Sequence, residues 1–211
     1  MNYPYTATKD APFGIYAVNL TGHRSSDIIL TQEIAGVEYP VSGMALLGRE
    51  IYPLAIKFPT YGSFANASMP QILGAADLKQ ALHYRVETFA STYFHNDGGG
   101  TFTASPLPKM AQIAPIRGII ATDVDGDGNL DLIVAGNLYD AEPNTTRADA
   151  GNGLWLKGDG KGHFTPVAPG QSGFLTPLNV AGLALVNTPN GKAVIVANSG
   201  DSLQTLTIRR R

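Results

Sequence analysis

The densest chemistry in this chain lies in one short loop, Asp123-Val124-Asp125-Gly126-Asp127-Gly128-Asn129-Leu130-Asp131. Carboxylates at alternate positions of a tight turn can converge on a single point, and the glycines between them permit the sharp backbone path. Asp123, Asp125 and Asp127 offer side-chain oxygens, Asn129 offers its backbone carbonyl, and Asp131 closes the ring. An all-oxygen donor set of this kind suits a hard cation, calcium above all, which takes six to eight oxygens at roughly 2.3–2.6 Å. Without a cation the four carboxylates repel one another. The expected metal ligands are therefore Asp123, Asp125, Asp127, Asn129 and Asp131, with Ca2+ as cofactor.

An EF-hand is the nearest rival motif. It needs a bidentate Glu at position 12 and a helix after the loop. That position holds Val134, inside the apolar run Leu132-Ile133-Val134-Ala135, which reads as a buried strand.

The elements around the loop repeat. Leu154-Trp155-Leu156-Lys157 with Gly158-Asp159-Gly160-Lys161-Gly162-His163-Phe164 echoes Thr92-Tyr93-Phe94-His95 with Asn96-Asp97-Gly98-Gly99-Gly100-Thr101-Phe102, at an offset of 62 residues. The same offset carries Leu132–Ala135 onto Val194–Ala197. Each unit reads as short strands joined by Gly-rich turns, the pattern of propeller blades. The second of these copies puts Leu185, Asn187, Pro189, Gly191 and Ala193 at the ligand positions, so it predicts a turn that binds nothing. A third copy, Asn19-Leu20-Thr21-Gly22-His23-Arg24-Ser25-Ser26-Asp27, lies 104 residues before the loop and keeps only Asp27 of its acids. The excess over one repeat predicts an insertion. Residues 42–84 supply it, with helical spacing at Leu78 and Leu82, a helix over Gly43–Ile51 capped by Ser42, and His83 in a helix. Pro53, Pro59 and Pro70 keep these helices short.

Composition excludes several functions. There is no cysteine, which removes disulfides, thiolate metal sites and thiol catalysis. The net charge is -2, and the only basic run, Arg209-Arg210-Arg211, is terminal, so no nucleic-acid partner is expected. No apolar run approaches the ~20 residues that span a bilayer. His23, His83, His95 and His163 show no metal-ligand spacing, and no nucleophile elbow or phosphate loop is present. The expectation is a protein that is not an enzyme. Trp155, the single tryptophan, reads either as a packing residue or as a sugar-stacking platform. The polar loop Gly136–Arg147 is a candidate contact surface.

The acidic loop with its strand, followed by the Gly-rich hairpin that ends in Phe164, resembles the FG-GAP or VCBS repeat of integrin α-subunit propellers. The resemblance covers residues 91–206 well and 12–35 weakly, and extends to the C-terminal part of bacterial FG-GAP proteins of the ASPIC/UnbV type. It implies a mainly β fold: a partial β-propeller of about three four-stranded antiparallel blades, spanning 1–211, with a small helical insertion. It also implies calcium at the loop, an exported cell-surface or secreted location, and a protein or glycan partner. Because a propeller must close its ring, further blades are expected in a longer parent chain; that expectation also accounts for the lack of a signal peptide at Met1–Tyr5. The alternative is a propeller-based polysaccharide hydrolase or lyase whose acids lie mostly in other blades.

Overall fold

The chain is mainly β. Its computed structural model describes residues 5–141 and 145–209, so Glu142–Asn144 of the candidate contact loop, Met1–Pro4 and the last two arginines lie outside the described residues. Four antiparallel sheets form, two of four strands, one of three and one of two. The chain divides into two compact units, Tyr5–Phe89 and the segment from Ala90 to Arg211.

In the unit Tyr5–Phe89, β1 (Phe13–Val18), β2 (Asp27–Ile34), β3 (Val37–Pro40) and β4 (Leu82–Val86) form a sheet in the order β3-β2-β1-β4. The β2–β3 hairpin turns through Ala35 and Gly36, both at positive φ, as a tight two-residue turn requires. Four helices lie between β3 and β4: α1 (Met44–Glu50), α2 (Tyr52–Lys57), α3 (Tyr61–Ala65) and α4 (Met69–Gln80). Pro53 and Pro70 sit in the first turns of α2 and α4, where a missing N–H costs nothing. The N-cap of α1 is Gly43, not Ser42. Tyr16, Val18 and Ile29 from the sheet pack with Leu47, Leu54, Phe64 and Ile72 from the helices. Each fully buried large side chain of this kind contributes roughly 1.5–3 kcal/mol.

His83, expected in a helix, lies instead in β4, paired with Tyr16 of β1. The helix stops at Gln80 because Ala81 turns extended (φ −62, ψ 134) and Leu82 begins to pair with Ala17. Sheet pairing outweighs the helical spacing of an exposed segment. His83 stacks on Tyr16 at 4.0 Å between ring centroids, and its Nε2 lies 3.1 Å from Glu38 Oε1. The Tyr16 hydroxyl donates to Glu38, and Arg85 pairs with Glu33. Burial, reinforced by the Glu38 carboxylate, raises the Tyr16 pKa well above the usual phenol range.

In the second unit, β5 (Thr92–Gly98) and β6 (Thr101–Pro106) form a separate hairpin. Strands β7 (Gly118–Thr122), β8 (Asp131–Ala135), β9 (Leu154–Gly158) and β10 (Phe164–Val167) form a simple meander, the connectivity of a propeller blade. A second meander contains β11 (Val180–Thr188), β12 (Gly191–Asn198) and β13 (Gln204–Ile208). Both faces of the β7–β10 sheet are covered. Ile120 and Ile133 pack with Phe174, Val180, Val194 and Val196 on one side. On the other, Val134, Leu154 and Leu156 pack with Ala111.

The repeat is visible in the strand register. Asn96 pairs with Phe102, and 62 residues later Gly158 pairs with Phe164. Val18 pairs with Asp27, and 104 residues later Thr122 pairs with Asp131. The blades are less uniform than three four-stranded copies. β3 and β4 flank β1–β2 in place of a meander, and the β11–β13 sheet has three strands. The predicted turn at Leu185–Ala193 is also shorter than a nine-residue loop. Leu185 and Asn187 lie within β11 and Gly191 and Ala193 within β12, because both strands run on to a two-residue turn at Pro189-Asn190.

Candidate metal loop and adjoining cleft

Strands β7 and β8 set the two ends of the acidic loop, with Thr122 opposite Asp131 at the point where pairing begins. Gly126 and Gly128, at φ 88° and 87°, take the left-handed turns that let alternate carboxylates face inward. The loop is stitched by its own acids. Asp123 Oδ1 accepts from Gly126 N–H at 2.6 Å, and Asp127 Oδ1 accepts from Asn129 N–H at 2.8 Å.

Asp131 has a different environment. It is fully buried, at 0% exposure. Its Oδ2 accepts from Val124 N–H at 3.0 Å and its Oδ1 from Gly158 N–H at 2.8 Å. The carboxylate therefore joins the start of the loop, the head of β8 and the end of β9. The early copy uses the same construction. Asp27 Oδ2 accepts from Leu20 N–H at 2.8 Å, and Asn19 Oδ1 accepts from Gly22 N–H at 2.7 Å. Asn19 can close the turn because an amide oxygen accepts as a carboxylate does. The last acid of each loop is a backbone acceptor first, whatever else it binds.

Of the five predicted ligands, Asp123, Asp125 and Asp131 each bring a carboxylate oxygen within 4.8 Å of the others. Two oxygens bound to one calcium ion at roughly 2.4 Å lie at most about 5 Å apart, and the three carboxylates meet that spacing. Asp127 points elsewhere: its Oδ2 lies 3.1 Å from Lys157 Nζ, which also donates to Asp125. Asn129 takes part through its N–H. The Asn129 hydrogen bond, with help from Lys157, holds the Asp127 carboxyl below the usual carboxylate range. Asp125 and Asp127 in turn push the Lys157 ammonium above its ordinary value. Lys157 is the residue the sequence reading missed. It lies 32 positions from Asp125 on another strand, and only the pairing of β8 with β9 brings it to the loop.

The Gly-rich turn after β9 is tied by Asp159, which accepts from the N–H groups of Lys161 and His163 and from the His163 ring. These bonds, the Lys161 N–H foremost, hold its pKa at about 2. Trp155 occupies the same face of β9 as Lys157 and stands opposite Ile133 of β8. That face borders a cleft of about 940 Å³ running from Asp125 past Trp155 and Phe174 to β13. The base of the polar loop after β8 is pinned rather than loose. Asn137, at 0% exposure, bonds Gly151 N–H and O and the carbonyl of Leu178. Further out, the Tyr139 hydroxyl donates to Pro177 O, and Arg147 lies over the Tyr139 ring at 4.7 Å.

No curated protein and no solved structure matches the chain. Residues 88–134, from just before β5 to the fourth residue of β8 and including the whole acidic loop, match the FG-GAP-like repeat, and the chain thus carries one such repeat.

Proposed function

We propose that this chain is a calcium-stabilised, propeller-type interaction module of an exported protein, acting by binding a protein or glycan and not by catalysis. The observation that carries the reading is the convergence of Asp123, Asp125 and Asp131 in an all-oxygen loop that lies within the FG-GAP-like repeat. A bound calcium would supply charge neutralisation and tie β7 to β8, and it has no redox or hydrolytic task in this role. Glu33 and Glu38, outside the loop, both contact Arg85. They are engaged by Arg85, His83 and Tyr16, and line neither the Trp155 cleft nor the small cavity between Ala111 and Gly151. No helix among the described residues is long and apolar enough to cross a membrane.

The test is thermal unfolding with calcium, with magnesium and with chelator, for the wild type and Asp125→Ala. Trp155, the single tryptophan, sits on β9, so its emission reports on the unit that holds the loop. At a hundredfold excess over Kd, calcium should add about 2.7 kcal/mol of stability. The midpoint should rise with calcium, rise less with magnesium, and not move in Asp125→Ala. A midpoint indifferent to every metal would remove the cation from the proposal and leave a structural turn.

Lys157 gives a second prediction. Its ammonium holds Asp125 and Asp127 before a cation arrives and repels the cation afterwards. Lys157→Met should therefore tighten calcium binding, by roughly up to fivefold for an exposed pair of this kind. Calorimetric titration reads this directly, and a weaker affinity in the variant would mean that Lys157 supports the bound loop instead.

A further inference from the structure

The β11–β13 sheet repeats the register of the β7–β10 sheet and stops one strand short. Leu132 pairs with Leu156 and Ile133 with Trp155; 62 residues after β8, Val194 pairs with Leu206 and Ile195 with Thr205. β13 is therefore the counterpart of β9. The outer edge of β9 is covered by β10, with Thr165 opposite Lys157 and Pro166 opposite Leu156. Among the described residues, no strand pairs with the outer edge of β13. The cleft of about 940 Å³ beside the acidic loop, at the upper end of the range for ligand clefts, is bordered by five consecutive residues, Thr205 to Arg209. Side chains of a strand alternate between its two faces. An opening bordered by a consecutive run therefore lies along the backbone edge of β13, not over one face alone.

That edge is unguarded. Other outer strands carry groups that discourage pairing: Glu38 and Pro40 in β3, His83 and Arg85 in β4, Pro166 in β10. β13, Gln204-Thr205-Leu206-Thr207-Ile208, has neither a charge nor a proline. Such an edge is a template for another strand. Leu206 and Ile208 turn toward the apolar cluster that holds Ile133 and Val194, so a strand laid beside them needs apolar residues at alternate positions. Its source follows from the residues after β13. β9 leads into Asp159, Gly160 and Lys161, whereas Arg209, Arg210 and Arg211 stand at the corresponding positions after β13. Gly160 turns at a φ of 73° to bring the chain back as β10, a conformation that arginine disfavours. With that tight return lost, the missing strand is better delivered by another chain. Arg209 borders the cleft at the end where an antiparallel strand begins, so acidic residues at the start of that strand complement it.

We propose that the outer edge of β13 binds an extended segment of a partner protein, added antiparallel as the fourth strand of the β11–β13 sheet. That segment begins with acidic residues and continues with apolar residues at alternate positions. The inference rests on the interaction-module reading and names the partner class and the mode of binding. Main-chain hydrogen bonds to β13 supply affinity, and the apolar side chains that enter the cleft supply specificity.

The experiment uses the full chain and a fluorescein-labelled peptide with blocked ends, Glu-Asp-Val-Thr-Val-Thr-Val-Thr, titrated in calcium and in chelator and followed by fluorescence anisotropy. Saturable binding is expected, with a Kd of roughly 10–300 µM. Two N-methylated versions, one methylated on every Val and one on every Thr, separate main-chain pairing from apolar adhesion without altering the protein. Successive N–H groups of a strand point to opposite edges. One version should therefore bind at least about tenfold more weakly, while the other stays within about twofold of the parent peptide. Arg209→Glu, a change at an exposed position, locates the site: it should weaken the acidic peptide by roughly three- to fivefold and favour a version that begins Lys-Lys. Absence of saturable binding, equal binding of the two methylated versions, or an Arg209→Glu variant that binds both flanks as the wild type does would overturn the proposal. A dimer of the chain that excludes the peptide would overturn it too, and would assign the edge to a second copy. The two readings fail separately. A calcium-dependent midpoint without peptide binding overturns the strand site alone, and peptide binding without any calcium effect overturns the metal loop alone.

Discussion

Asp131→Ala should lower the stability of the Ala90–Arg211 unit by about 3–5 kcal/mol even in chelator, where no metal contributes. Two backbone donors, Val124 N–H and Gly158 N–H, depend on this one fully buried side chain. Removing it leaves both without their acceptor, Gly158 N–H in the interior and Val124 N–H in a half-buried position, and an unpaired buried group costs about 1–3 kcal/mol. Asp131→Asn separates the contributions. Its single amide oxygen can serve one of the two donors, while its NH2 faces the other as a second donor. The variant should fall between wild type and Asp131→Ala. Urea unfolding followed by Trp155 emission is the measurement, since that residue lies on β9, next to the affected bond. A loss below about 1 kcal/mol for Asp131→Ala would show that the loop closes without its last acid.

That prediction shows where the sequence was sufficient and where it was not. The spacing of Asp123 to Asp131 marked the loop, and the offset of 62 marked the hairpins whose register agrees, Asn96 with Phe102 and Gly158 with Phe164. Such signals are local: a turn needs certain residues at certain positions, so the turn can be read directly. The reason Asp27 survives in the early copy was not legible. By composition it is a leftover ligand, whereas its bonds to Leu20 and Thr21 N–H show a backbone acceptor matching Asp131. Likewise Lys157 reaches Asp125 across 32 positions, and Glu38 meets Tyr16 and His83 across 22 and 45. These contacts depend on which strands become neighbours. β4 shows the limit most clearly, because all five of its residues are exposed and no burial pattern announces a strand. It is a strand only because β1 offers an edge.

The same junction gives the second large effect, Gly158→Ala. A Cβ on Gly158 would lie 2.1 Å from the carbonyl oxygen of Leu130, far inside contact distance. The obstacle is backbone, so relief requires β9 to move away from the loop. Movement in that direction stretches the Gly158 N–H bond to Asp131 and disturbs the pairing of Gly158 with Phe164. Overpacking typically costs 1–3 kcal/mol; with a buried hydrogen bond lost as well, about 3–5 kcal/mol is expected. Gly160→Ala is the matched control. Its Cβ would meet the Asn129 side-chain oxygen at 2.4 Å, and that amide can rotate aside. The remaining penalty is the positive φ of 73°, worth about 1 kcal/mol. The two variants should therefore differ by at least about 2 kcal/mol in chelator, read by urea unfolding on Trp155 emission. They should differ in metal response too. Displacing Leu130 moves Asp131 away from Asp123 and Asp125, so Gly158→Ala should lose most of the calcium-dependent rise in midpoint, while Gly160→Ala keeps it. Equal losses in the two variants would mean that β9 does not brace the loop. The placement of Asp131 would then depend on β7 and β8 alone.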